Sequence, residues 1–240
     1  MSDYTCMSAY YDLIMTSGYY DYAAVTSQIT RFDQVTSILE VGAGTGLILE
    51  QLVAQRPEAK IAGIDLTAAM LEIAAERLAR HPQISLHQQD VITLDLDQQY
   101  DLAFSYGGVW YFVPDPSGET FSMISHIRAE PDNQTGFERL AAHLPSGATL
   151  LLGVQAPHAD YARAVSNGMQ YAQTIAPITD GFRKHYSLSD QGRVVMEQTT
   201  DYRVYAFDEA LALLDKVGFD YCRPSPDQPA PALFLEFTKR

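Results

Sequence analysis

Between residues 36 and 155 the sequence alternates short apolar runs with amphipathic stretches, and this rhythm narrows the possible folds more than any other feature. Ser37–Val41, Lys60–Ile64, Ile84–His87, Asp101–Ser105 and Ala148–Val154 read as strands. Leu47–Gln55, Thr67–Arg80 and Gly136–His143 read as helices, with Met70, Ile73, Ala74 and Leu78 along one stripe of the second. Strands alternating with helices over short turns imply an α/β fold, a parallel sheet covered on both faces. The rhythm then changes. Phe182–Leu188 and Arg193–Tyr205 flank Asp190-Gln191-Gly192 and read as an antiparallel hairpin. Phe207–Val217 reads as a helix closed by Gly218, and Phe219–Cys222 and Ala232–Phe237 as the last strands. Pro224, Pro226, Pro229 and Pro231 mark a turn between those two. At the other end, residues 4–31 have helical spacing and carry six tyrosines before residue 23, which suggests a lid or a docked cap.

The chemistry begins at Glu40-Val41-Gly42-Ala43-Gly44-Thr45-Gly46, between the first strand and the first helix. Ligands of open parallel sheets bind at the carboxyl ends of the strands, and glycines there let backbone approach a ligand. A dinucleotide site wants G-x-G-x-x-G, but the third position is Leu47. A P-loop needs Gly-Lys-Ser or Gly-Lys-Thr, which is missing. Glu40, two residues before the first glycine, repels phosphate and suits a cationic ligand group.

These residues resemble the first motif of the class I S-adenosylmethionine-dependent methyltransferases. The resemblance extends to Asp65 at the end of the second strand, Asp90 after the third, the fourth-strand segment Asp101–Ser105 and the Leu140–Gly153 region. It implies a Rossmann-like, seven-stranded, mostly parallel sheet with helices on both faces, an added hairpin and an N-terminal helical lid. It also implies S-adenosylmethionine as cofactor. Asp65 would hold the ribose hydroxyls, Asp90 the adenine amine, and Glu40 the amino-acid part. Gly42, Ala43, Gly44, Gly46, Leu66, Met70, Val91 and Ser105 complete the expected cofactor contacts. The chain is expected to be one domain over residues 1–240. Its parts are a cap at 1–31, a cofactor core at 36–155, an acceptor-side lid and hairpin at 156–205, and a final helix and strands at 206–240.

The acceptor is approached by exclusion. Ser105-Tyr106-Gly107-Gly108 differs from the Pro-Pro motif of DNA amine methyltransferases, and Cys222 does not resemble the cysteine of cytosine C5 enzymes. Val154-Gln155-Ala156 lacks the carboxylates of metal-dependent relatives, so no metal is expected. A net charge of -14 argues against nucleic acid. No run of about 18 apolar residues marks a membrane span, and no leader is evident. With two cysteines that make no framework, the expectation is a cytoplasmic protein; the oligomeric state is open.

A small-molecule acceptor remains, with nitrogen or oxygen undecided. Segments 114–135 and 155–178 look like additions at the carboxyl edge of the sheet. The layout is similar to that of aminosugar N,N-dimethyltransferases and the glycine N-methyltransferase group. In that branch an N-terminal Tyr-Asp pair closes over the cofactor, which implies Tyr11 as a cofactor contact and catalytic candidate, with Tyr22 nearby. An oxygen acceptor would want a base, for which His126 is the first candidate and His185 the second. Tyr106, Trp110, Tyr111 and Arg128 complete the expected acceptor wall; for Trp110, packing in the core is the equal alternative. Two other readings stay open: a cofactor-binding protein that methylates nothing, and an enzyme of a different reaction at the sulfonium.

Overall fold

The computed structural model describes residues 4–115, 118, 120–222 and 232–240. Two helices come first, α1 (Thr5–Thr16) and α2 (Tyr22–Thr30). The core follows as β1 (Ser37–Val41), α3 (Leu47–Gln55), β2 (Lys60–Asp65), α4 (Ala68–Arg77), β3 (Ile84–Gln88) and β4 (Leu102–Ser105). Next are β5 (Trp110–Pro114), β6 (Phe121–Ser125), α5 (Glu130–Ala142) and β7 (Thr149–Gly153). The chain ends with β8 (Tyr161–Ala164), β9 (Gln170–Ile178), β10 (Gly181–Asp190), β11 (Arg193–Ala206), α6 (Phe207–Lys216), β12 (Phe219–Cys222) and β13 (Phe234–Lys239).

The first sheet has seven strands in the order β12-β13-β7-β4-β1-β2-β3. Strands β3, β2, β1, β4 and β7 run parallel, and β13 and β12 are antiparallel additions at one edge. Central strands buried on both faces need continuous apolar runs. Ile38, Leu39 and Val41 of β1, and Leu150, Leu151 and Leu152 of β7, supply them. Chain order reverses between β1 and β4, so the first sheet opens a crevice at their carboxyl ends.

Helix α5 begins six residues before its apolar spacing does. Its first turn carries Glu130, Pro131 and Asp132, and its last turn Arg139. Proline early in a helix and charges opposed to the dipole specify those ends without any periodicity.

The expected hairpin is present as β10 and β11, but as the middle of a larger sheet. Six antiparallel strands lie in the order β5-β6-β11-β10-β9-β8. The segments expected to be added connections, 114–135 and 155–178, therefore contain strands β6, β8 and β9. Their alternation is hidden because the inner face of this sheet is polar as well as apolar. Gln173, Lys184, Gln198 and Thr200 are buried there beside Tyr171, Tyr186, Leu188 and Tyr202. The proline-rich turn expected at 224–231 lies outside the described residues.

Candidate active site

The carboxyl ends of β1 and β4 carry glycine turns that touch. Gly42 has φ +82°, and a Cβ there would sit 2.7 Å from the Gly108 Cα. Conversely, a Cβ on Gly108 would sit 2.4 Å from the Val41 carbonyl oxygen. Neither turn tolerates a side chain, so bare backbone lines the switch point.

Acids flank this turn. Asp65, at the end of β2, accepts hydrogen bonds from the Gly44 and Thr67 backbone N–H groups, both at 2.8 Å. Burial still raises its pKa above the usual carboxylate range. Glu40 is buried, and its Oε2 has no partner among the described residues. Burial, and then the charge of Asp65, push the Glu40 pKa well up. A buried, unpaired carboxylate oxygen is costly unless a cation or donor completes it. The amino-acid ammonium of S-adenosylmethionine would do so, and Asp65 suits a ribose diol, so the donor set and the bare backbone fit that cofactor. Asp90 caps the short turn after β3 by accepting from the Ile92 N–H at 3.1 Å. Its neighbours Gln89 and Val91 line the cavity described next.

A cavity runs from this crevice to the inner face of the second sheet. Gly42, Gly44, Asp65, Leu66, Met70 and Val91 line one end. Tyr19, Tyr20, Tyr111, His126, His158 and Lys184 are among those lining the other.

Helix α1 roofs the cavity. The Tyr11 ring lies over Gly44, 3.7 Å from where a Cβ would stand. The next residue holds the roof down: Asp12 accepts from the Thr45 hydroxyl at 2.5 Å and pairs with Arg77. Arg77 also donates to the Thr45 carbonyl at 2.9 Å and pairs with Glu50 at 3.1 Å.

At the far end the polar groups form two chains. Tyr202 shares hydrogen bonds with Tyr4 at 2.9 Å and Tyr186 at 2.6 Å. The Lys184 Nζ lies 3.0 Å from the Tyr19 hydroxyl and 3.3 Å from the His158 Nδ1, and the His158 Nε2 lies 2.7 Å from the Tyr111 hydroxyl. Burial, and then the charge of Lys184, lower both His126 and His158 to about 3, so both rings are neutral near pH 7. Burial lowers Lys184 itself to about 7.

Several residues expected at the site stand elsewhere. His185 neighbours Lys184 but points to the other face of β10, bonds Thr199 and faces Glu197, so it is no base for this cavity. Strand alternation makes the two neighbours mutually exclusive. The Arg128 guanidinium is tied to the Tyr202 and Thr179 carbonyls and clamps β11, away from the cavity. Trp110 is core: it donates to Asn133 at 2.8 Å and stacks on Phe137. Tyr106 packs between Tyr20 and Phe234, and Tyr22 packs on Tyr20; neither lines the cavity. Ala43 is buried under the turn, and Gly46 gives α3 room against Leu78 and Ala74. Ser105 sits beneath the Gly108 turn, 2.9 Å from where a Cβ there would stand. Tyr11, Tyr111 and His126 do face the cavity.

Sequence reasoning did not name Lys184, His158, Tyr19 or Tyr20 as site residues, although the two tyrosines lie in the expected cap and His158 in the expected acceptor-side segment. One signal was available for Lys184. It alternates with Arg183 and His185 and shares a parity with Tyr186 and Leu188, which places a lysine on the apolar side of a strand.

Residues 38–130 match a family model described as a methyltransferase domain. The trans-aconitate 2-methyltransferase of Afipia carboxidovorans is 28% identical over 84% of this chain and 74% of its own length. The dTDP-4-amino-2,3,4,6-tetradeoxy-D-glucose N,N-dimethyltransferase of Saccharopolyspora spinosa is 35% identical over 38% of this chain. The matched stretch spans between 26% and 37% of the length of that enzyme and two malonyl-[acyl-carrier protein] O-methyltransferases. Among solved structures, the sugar N-methyltransferase KedS8 from a Streptoalloteichus species superposes with a TM-score of 0.69 at 22% identity, covering 96% of this chain and 92% of that one. That likeness is one of fold.

Proposed function

We propose that this chain is a class I S-adenosylmethionine-dependent methyltransferase that transfers a methyl group to a small molecule held between its two sheets. One observation carries the reading: a single cavity joins the glycine crevice to a wall of buried tyrosine, histidine and lysine. S-adenosylmethionine supplies a sulfonium methyl activated for direct displacement. The chain's contribution is to bind, orient and exclude water. In this reading Glu40 takes the ammonium, Asp65 the ribose hydroxyls and Asp90 the adenine amine, while Gly42 and Gly44 admit the cofactor against bare backbone. Tyr11, held over the glycine turn through Asp12, closes the roof. His126 lines the cavity and is the candidate base where the acceptor needs one; burial keeps its ring neutral and makes it a weak base until a ligand changes its surroundings.

The enclosed cavity favours a small molecule over a nucleic acid or a protein, and the net charge of -14 adds to the case against nucleic acid. Among the described residues no helix is long and apolar enough to cross a membrane. Cys6 and Cys222 are free thiols, which supports a reducing, cytoplasmic setting.

The test is calorimetric titration with S-adenosylmethionine and with S-adenosylhomocysteine, followed by transfer of a labelled methyl into a small-molecule extract. Roughly micromolar binding of both, with label in the low-mass fraction, is the expected result. Binding of neither, or label confined to macromolecules, would overturn it.

A further inference from the structure

The far wall of the cavity holds an ammonium that no carboxylate balances among the described residues. Lys184 lies on β10 and is 1% exposed. Its Nζ contacts a phenol and an imidazole, Tyr19 and His158, and the faces of the Tyr19 and Tyr186 rings at 5.7 Å and 4.7 Å. Among the described residues no carboxylate pairs with it. Arg163 stands behind Tyr19, its Cζ 5.8 Å from the ring centroid, and two of its buried nitrogens lack partners. Buried ammonium groups are normally paired, so one held in a cavity without a counter-ion marks a place for an anion.

The hydrogen-bond directions agree. With Lys184 donating to the His158 Nδ1, the neutral ring carries its proton on Nε2 and donates to the Tyr111 oxygen. The Tyr111 proton is then left to donate onward. The wall therefore presents donors, while the acids Glu40 and Asp65 are gathered at the cofactor end. An ammonium acceptor would meet Lys184 as a like charge, and a neutral one would leave it unpaired.

Building on the methyl-transfer reading, we infer that the acceptor is a small organic carboxylate, and that Lys184, oriented by Tyr19 and His158, recognises its negative charge. A phosphate or diphosphate fits less well. Such groups call for guanidinium forks or helix N-termini, and the lining of this end offers a single ammonium with phenols, neutral imidazoles and an amide.

The test uses the full chain saturated with S-adenosylhomocysteine. Calorimetry is run against benzoate, glutarate and trans-aconitate, their primary amides, benzylamine and thymidine diphosphate. At least one carboxylate should bind, and its amide should bind at least about 10-fold more weakly. Lys184→Met should cost that carboxylate about 10- to 100-fold in affinity with S-adenosylhomocysteine binding unchanged, and Lys184→Arg should restore part of the loss. Lys184→Gln serves as the second variant should the methionine protein fail to fold. The inference falls if no carboxylate binds to a protein that holds S-adenosylhomocysteine. It falls equally if benzylamine or thymidine diphosphate binds more tightly, or if the Lys184 variants hold the carboxylate as the native protein does. Failure of S-adenosylhomocysteine itself to bind is a different result: it overturns the methyl-transfer reading first, and this inference with it.

Discussion

The two sheets that enclose the cavity bury polar groups in opposite ways. The parallel sheet is apolar along its strands and keeps its polar atoms at the tips, where Glu40 and Asp65 meet the glycine turn. The antiparallel sheet carries Gln173, Lys184, Gln198 and Thr200 along a face that a folded core would normally keep apolar. The difference follows from what each sheet is for. A parallel sheet presents a ligand with strand ends, so one short motif defines its site. An antiparallel sheet presents a broad face, so its site is spread over alternate residues of several strands.

Gly42→Val should break the parallel side most severely. The new Cβ meets Gly108 backbone and the residue cannot hold φ +82° without strain. S-adenosylhomocysteine affinity is expected to fall by roughly 100-fold or more by calorimetry. Near-native binding in a folded variant would mean that the turn does not shape the cofactor end. Asp65→Ala comes next, at about 10- to 100-fold, because the change removes a charged acceptor and frees the Gly44 and Thr67 N–H groups. Unchanged affinity would remove Asp65 from the site.

The antiparallel side is sharpened by a stability measurement. Lys184 has its folded pKa lowered, to about 7 from an ordinary value of 10.5. Between those values the unfolded chain binds more protons, so stability rises with pH across that window as the burial penalty disappears. Lys184→Met removes the penalty. It should raise the ligand-free melting temperature near pH 7, by an amount equivalent to about 1–3 kcal/mol, and flatten the rise in stability above pH 7. The groups facing Lys184 are Tyr19, Tyr186, His158 and His126, none of which is charged there. A lower melting temperature would mean that the native lysine already has a counter-charge. The smallest effect belongs to His185→Ala. Its ring faces Thr199 and Glu197 on the outer side of the sheet, so turnover should stay within about 2-fold of native, consistent with the small energies of surface sites. A large loss would return His185 to the chemistry.

This asymmetry also explains what could be read in advance. Strands β1, β2, β3, β4 and β7 and helices α3 and α4 were legible, because parallel strands demand continuous apolar runs and helices demand a stripe. Strand β9 was not: Gln173 puts a polar residue on its buried face and Ala172 an apolar one on the opposite face, which breaks the alternation that would reveal it. Of the expected acceptor residues, Tyr111 and His126 reach the cavity, whereas Trp110 and Arg128 serve packing and the clamp on β11. Sequence separation hid the cluster itself, since Tyr19, Tyr111, His158 and Lys184 come from four distant parts of the chain.

The sequence by itself carried the glycine turn, the acids beside it and, through them, the resemblance to the S-adenosylmethionine-dependent methyltransferases. Their roles depend on a local motif, and a strand that ends in glycines puts them together in any fold of this class. Only the tertiary structure decided the far end of the cavity. Which tyrosines roof the cavity, which histidines turn inward and that Lys184 is buried with no carboxylate partner among the described residues all depend on strand pairing, and residue order does not encode pairing locally.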